Sequence, residues 1–234
     1  MAGHPEPAAP PADCHICPRL AAFRAENRAR HPEWHNAPVA SFGPLDARLL
    51  VVGLAPGLRG ANRTGRPFTG DYAGVLLYET LAAGGFAEGI YAARPDDGLT
   101  LHDCRIVNAV RCVPPQNLPK PAEIAGCNRF LHAELAAMPQ LRVILALGVV
   151  AHNAVLRACG VPLARRPFRH GTLAPLPAGP FRHGTLAPLP AGPVLADSYH
   201  VSRYNTSTRR LTPEMFRGVM QDIAAVLARE GPIR

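Results

Sequence analysis

Apolar positions fall into four short, almost unbroken runs, separated by stretches in which they recur every three or four residues. The runs are 47–53 (ARLLVVG), 105–112 (RIVNAVRC), 141–148 (LRVILALG) and 193–200 (PVLADSYH). Their length and branched side chains predict strands buried on both faces. Between them, 73–83 (AGVLLYETLAA) predicts a helix stopped by Gly84 and Gly85, and 121–138 predicts one that starts at Pro121. A third helix follows the third strand and runs to about Ala158, where Gly160 ends it. A last one covers 213–229, with Thr212 as its cap and Pro213 at its first position. This alternation predicts an α/β fold, with three α/β/α layers around a central, mainly parallel four-stranded sheet. Ligands of such sheets bind outside the carboxyl ends of the strands. The loop after Gly53, the turn after Cys112 and the loop after His200 are therefore expected to share one rim.

Residues 1–13 are rich in Pro and Ala and are expected to form a mobile tail ahead of a single domain, 14–234. One segment breaks the pattern. PFRHGTLAPLPAG occupies 167–179 and, letter for letter, 180–192. A 13-residue unit in two copies makes no solenoid. Long surface insertions cost little closure entropy, so one copy is expected to bulge from the surface.

Lys and Arg outnumber Asp and Glu by 25 to 17, a formal charge of +8, and most of the basic residues are Arg. Guanidinium forks match phosphate geometry, so the excess favours an anionic partner, nucleic acid before membrane surface. A GC-rich codon bias would also enrich Arg, Ala, Pro and Gly, which makes charge a weak discriminator alone. No run of about 18 apolar residues predicts a membrane span, and the opening residues lack the basic-then-apolar order of a secretory signal. The expected location is the cytoplasm. Six cysteines (14, 17, 104, 112, 127 and 159) then point to metal ligation or buried thiols rather than disulfides.

Three stretches carry candidate chemistry. GLAPGLRGANRTGRPFTGD (53–71) lacks the lysine of a Walker phosphate loop and the G-x-G-x-x-G spacing of a dinucleotide fingerprint. Arg59 or Arg63 alone would pass for ordinary surface arginines, but Phe68 and Asp71 belong more naturally to a pocket. Cys14 and Cys17 form C-x-x-C, and Cys112 and Cys127 lie 15 residues apart. Four thiolates can hold zinc or an iron–sulfur cluster, and this spacing matches neither a zinc ribbon nor a ferredoxin run. Cys104 and Cys159 read as ordinary buried thiols. In the third stretch, His200 at a strand's end is followed by Ser202, Arg203, Asn205, Thr206 and Ser207, groups suited to phosphate contacts. His15, His31, His102 and the repeat's histidines lack such company and read as structural or surface residues.

Together, GLAPGLRGANRTGRPFTGD (53–71), NAVRCVPPQN (108–117) with Cys127, and SYHVSRYNTSTRRLTPEMF (198–216) resemble the uracil-DNA glycosylase superfamily. The closest likeness is to its iron–sulfur branch, family 5, the type-b enzymes, and it runs from about Cys14 to the last helix. It implies a compact α/β/α fold and a 4Fe-4S cluster on Cys14, Cys17, Cys112 and Cys127. It also implies a monomeric repair enzyme acting on double-stranded DNA, with single strands an open alternative. Such enzymes flip a damaged nucleotide out of the duplex and hydrolyse its N-glycosidic bond, leaving an abasic site. The bond breaks through an oxocarbenium-like sugar and an anionic base, so stabilising that anion and placing a water are the main tasks. By position, His200 stabilises the departing base, Phe68 stacks on it, and the backbone of Gly53, Leu54 and Ala55 lines the pocket. Asn108 matches the base-reading asparagine, with Asn117 a second candidate. Ser202 and Arg203 grip phosphate beside Asn205, and Tyr204 stands where relatives place a wedge that fills the gap in the duplex.

Some positions depart from the family pattern. Leu54 replaces the acid that activates water in other branches, which leaves Asp71 as the candidate to position water. Gly57 is small where uracil-only relatives carry a bulky side chain, which implies a range extending to hypoxanthine and other deaminated or etheno bases. The family's spacing to SYH fits the second copy of the repeated unit, at His183-Gly184, so the first copy is the expected insertion. A protein that only bound damaged DNA would be expected to have lost His200 or Phe68, and neither is lost. An iron–sulfur redox protein would be expected to carry a second cofactor motif or an exposed reactive cysteine pair. Only Cys14 and Cys17 could form that pair, and the cluster claims them.

Overall fold

The computed structural model describes residues 6–176 and 192–229. In chain order the elements are α1 (Pro18–Arg30), β1 (Leu49–Gly53), α2 (Ala61–Thr64), α3 (Tyr72–Ala83), β2 (Ala87–Glu88), β3 (Thr100–Leu101), β4 (Cys104–Asn108), α4 (Pro121–Ala137), β5 (Val143–Leu147), α5 (Val149–Ala158), β6 (Leu173–Pro175), β7 (Val194–Ser198), α6 (Arg203–Ser207) and α7 (Pro213–Arg229). The main sheet has the order β4-β1-β5-β7-β6. Its strands are parallel except for the antiparallel edge strand β6.

Side chains of a strand alternate between faces, so an unbroken apolar strand needs cover on both sides. β1 has it. Leu49 and Val51 share a core with Leu77 and Leu81 of α3 and Phe216 and Ile223 of α7. Leu50 and Val52 share another with Leu131 and Leu135 of α4 and Ala151 and Val155 of α5. At about 1.5–3 kcal/mol for each fully buried Val or Leu, these two layers are the main source of stability. Helix ends follow local chemistry. Gly85 takes φ +77 beyond the end of α3. Pro121 opens α4, where the Glu123 carboxylate accepts from Lys120 N at 2.7 Å. Thr212 Oγ1 accepts from Met215 N at 3.2 Å at the start of α7, the expected cap.

Three expectations are corrected. The sheet has five strands rather than four, the fifth being the three-residue β6. The second predicted strand ends at Asn108, not Cys112. Residues 109–113 continue as a buried loop, in which Ala109 N and Val110 N donate to Gly53 O and Leu54 O. Burial keeps that loop apolar, so its pattern mimics more strand. The third correction concerns the repeat. The first copy is seated in the sheet: Leu173–Pro175 pairs with β7, and Tyr199 N donates to His170 Nδ1 at 3.1 Å. The second copy, except Gly192, lies outside the described residues. Identical letters give both copies the same strand pattern, so spacing alone could not rank them. At the N-terminus, Arg28 donates to Asp13 Oδ1 and Ala12 O, while residues 1–5 lie outside the described residues.

β1 is flanked by β4 on one side and β5 on the other, so the chain switches direction across the sheet at β1. The crevice beyond its carboxyl end is the place where such sheets take ligands. Gly53 stands level with Asn108 at that point.

Candidate active site

A cleft of about 380 Å³ opens there, a volume typical of small-molecule sites. Leu54, Ala55 and Gly57 line it from the loop after β1, and Phe68, Asp71 and Tyr72 from the segment entering α3. Asn108 lines it from the end of β4, Asn117 from the turn before α4, and His200, Ser202 and Arg203 from the segment after β7.

Phe68 is buried with φ +52, a costly conformation for an aromatic residue. Neighbours hold it. Tyr91 Oη donates to Phe68 O at 3.0 Å, and Tyr78 Oη to Pro67 O at 2.7 Å. Arg66 forks onto Asp97 with two bonds of 2.8 Å and donates from Nε to Thr69 Oγ1 at 2.7 Å. Its hydrogen bonds to Asp97 hold that carboxyl well below the usual range. One arginine of the opening loop is therefore a buried brace, a role its motif did not announce. Gly53 lets the pocket close: a side chain there would collide with Asn108 Oδ1 and Phe68 Cζ. Asn108 Oδ1 is buried without a hydrogen-bond partner among the described residues, a state that costs about 1–3 kcal/mol unless a bound group pairs with it. Asn117 is exposed at the rim with φ +57. The two asparagines left open by the sequence thus stand at different depths of one cleft.

The His200 ring stacks beside Phe68, with centroids 5.9 Å apart and planes at 29°. Burial pushes its imidazole down to about 4, so it is neutral at ordinary pH. Asn205 Nδ2 donates to His200 O at 2.8 Å and fixes the segment. Asp71 precedes α3. Burial raises its carboxyl above the ordinary range, opposed by the Gly74 and Ala73 amides. Its Oδ1 is buried without a partner among the described residues. A side chain at Gly57 would meet Asp71 Oδ2 at 2.9 Å, so Gly57 makes room for this carboxylate as well as lining the cleft.

At the mouth, Ser202 Oγ caps α6 by accepting from Asn205 N, and Tyr204 is 70% exposed. Arg203 and Tyr204 face outward, while Asn205 is spent inside the segment. Tyr72, which sequence reasoning passed over, lines the cleft with Arg203 over its ring at 5.0 Å. Its position beside Asp71 at the helix start was the available signal. The His152–Asp197 pair, bonded at 2.7 Å and buried, was also missed; it braces β7 against α5.

Cys14, Cys17, Cys112 and Cys127 line one small cavity apart from the cleft. Arg24 Nη1 donates to Cys112 Sγ and Arg111 N to Cys127 Sγ, each at 3.4 Å. Arg24 Nε is buried without a partner among the described residues. Burial pushes the Cys112 thiol up to about 11, while Arg24 pulls it down. Among the described residues no three His, Cys, Asp or Glu side chains converge tightly enough for a single metal ion. Four thiols spread around a cavity, with N–H groups aimed at two sulfurs and an idle guanidinium nitrogen, suit a larger anionic group whose ligands sit at its corners. Cys104 and Cys159 are buried elsewhere, and burial pushes the Cys159 thiol up to about 12.

The family model of the uracil DNA glycosylase superfamily matches residues 40–224, a span that holds every cleft residue named above. The type-5 uracil-DNA glycosylase of Thermus thermophilus is 44% identical over 215 residues, 89% of this chain and 91% of that protein. The type-5 uracil-DNA glycosylase of Mycobacterium leprae is 40% identical over 218 residues, 89% of each chain. That of Pyrobaculum aerophilum is 36% identical over 217 residues, 91% of this chain and 88% of its own. With its parallel sheet, its cleft at the switch point and these matches along most of its length, the chain belongs to the uracil DNA glycosylase superfamily.

Proposed function

We propose that the protein is a monofunctional uracil-DNA glycosylase that draws a uracil-bearing nucleotide into the cleft and hydrolyses its N-glycosidic bond. The observation that carries this reading is the meeting, in one cleft, of the unpaired Asn108 carboxamide, the Phe68 ring and the neutral His200 imidazole. Phe68 stacks on the flipped base and Asn108 pairs with its polar edge. The C1′–N bond breaks with its electron pair leaving on the base. His200, neutral, donates an N–H to the base oxygen on which negative charge gathers. Ionised Asp71 accepts a hydrogen bond from a water and aims its oxygen at C1′. The water's oxygen joins C1′ as a hydroxyl, the proton it loses passes by way of Asp71 to solvent, and the anionic base takes up a proton from solvent. Leu54 cannot act as a base, and Asp71 is the carboxylate in the cleft lining, which makes it the candidate to orient the water.

At the mouth of the cleft, Arg203 and Ser202 contact phosphates and exposed Tyr204 enters the gap left by the flipped base. The net charge of +8 suits the backbone of DNA. Cys14, Cys17, Cys112 and Cys127 would hold a 4Fe-4S cluster. That group would tie the N-terminal segment to the loop after β4 and to α4, a structural role.

The test is release of free base from duplexes that each carry one lesion: uracil, hypoxanthine or an etheno base. Free uracil and an alkali-labile site are expected. Failure to release uracil from any duplex overturns the activity, and release of uracil alone overturns the wider range implied by Gly57.

A further inference from the structure

We infer that Arg19 is a positioning residue for the cleft, clamping the turn that carries Asn117 to the cysteine-bearing N-terminal segment. Arg19 lies two residues after Cys17, in the first turn of α1. Its Nε and Nη2 each donate to the Glu123 carboxylate at 2.7 Å, and Nη2 also donates to Leu118 O at 3.0 Å. Glu123 Oε2 in turn accepts from Lys120 N at 2.7 Å. One guanidinium and one carboxylate thus fix the backbone on the C-terminal side of Asn117.

That turn needs an external hold. Gln116 has φ +58, a left-handed conformation that a glutamine seldom adopts, and Asn117 follows at +57, where asparagine is better tolerated. Asn117 is exposed and Leu118 is 65% exposed, so no apolar burial pins them. Within the turn, Asn117 N and Leu118 N donate to Pro114 O and Pro115 O at 3.1 and 3.2 Å. The Arg19–Glu123 pair is suited to the task. It is bidentate and partly shielded, with the Glu123 side chain only 7% exposed, which sets it apart from ordinary surface pairs. The other end is anchored too. Arg24, on the same helix, donates to Cys14 O at 2.8 Å and to Cys112 Sγ. The cysteine cavity and the cleft mouth are joined through one short helix.

The inference rests on the proposed function only in taking Asn117 to touch the bound nucleotide. Its test is a double-mutant cycle of Arg19→Met and Asn117→Ala. Binding is read by anisotropy on a duplex bearing an uncleavable 2′-fluoro uracil nucleotide, beside single-turnover kcat, KM and iron content. Each single variant is expected to raise Kd and KM about tenfold, and the double variant no further, because both lose the same contact. kcat and iron content stay within about twofold, which a merely destabilised protein would not show. Arg19→Lys does not restore binding, since an ammonium lacks the planar fork that serves both acceptors. If Arg19→Met does not accumulate, Glu123→Gln gives the same pattern. Unchanged Kd in Arg19→Met, effects that multiply in the double variant, or an inert Asn117→Ala overturns the clamp while uracil release stands. A wild type that binds but releases no uracil overturns the activity and leaves the cycle readable.

Discussion

Replacing Gly60 with alanine displaces Asp71 without altering its chemistry. A Cβ at Gly60 would lie 2.8 Å from Asp71 Cγ and 3.0 Å from its Cβ, with Oδ2 nearer still. Carbon atoms rest about 3.5–4.0 Å apart, so the carboxylate must give way by about 1 Å. Asp71 is short and its backbone is fixed at the start of α3, so the shift falls on the carboxylate proposed to aim the water. A displacement of about 1 Å at a reacting centre costs about 100-fold in rate. Gly57 provides the graded control. Its Cβ would meet only Oδ2, at 2.9 Å, with Cγ at 3.9 Å. That strain is a few tenths of an ångström, and a loss of about two- to fivefold is expected. The assay is single-turnover uracil release at saturating enzyme, with thermal melts to confirm folding. The expected order is wild type, Gly57→Ala, Gly60→Ala, with Asp71→Asn at or below the last. A folded Gly60→Ala within about threefold of wild type, beside a crippled Asp71→Asn, would refute the reasoning from carboxylate position.

The proposed mechanism needs Asp71 ionised, and burial raises its carboxyl above the ordinary range, so kcat is expected to fall as pH drops through that raised value. Asp71→Asn removes this acid limb from the pH–rate profile, while His200, down at about 4, adds no step near neutrality. Glu134 is buried between Arg105 and Arg111, with Arg111 Nη2 and Ser41 Oγ each at 2.7 Å. Burial would raise its carboxyl, but Arg111 and Arg105 hold it below the usual range. Glu134→Gln leaves buried Arg111 without its counter-charge and Arg105 with only the exposed Glu6 carboxylate at 3.6 Å, and is expected to cost about 3–5 kcal/mol in urea titration. Cys112→Ser is expected to lose iron and visible absorbance in anaerobically purified protein, whereas Cys104→Ser and Cys159→Ser keep both. A stoichiometric zinc signal without visible absorbance in the wild type would contradict the cluster.

Much of this fold was legible because buried parallel strands write an unmistakable pattern. β1, β5 and β7 begin and end within two residues of the apolar runs that announced them. β6 was not legible, since three residues of an edge strand carry too little pattern and stood in a duplicated segment. The cleft residues were readable because their loops follow strands that end together. Their depths were not. Asn108 and Asn117 differ only once the turn of positive φ before α4 lifts one to the rim. Arg19 was not legible for another reason: its partner, Glu123, is distant in sequence, whereas Tyr72 had a signal in its place beside Asp71 but its contact with Arg203 did not show.

The central claim is that this cleft breaks an N-glycosidic bond with neutral His200 holding the departing base. Single-turnover release of free uracil from a duplex, wild type beside His200→Ala, tests it most directly. The wild type is expected to release uracil stoichiometrically, and His200→Ala to bind the duplex equally well yet release it about 100- to 1,000-fold more slowly, the loss typical of one oxyanion donor. A His200→Ala rate equal to wild type, or a wild type that binds the duplex and releases nothing, would contradict the account.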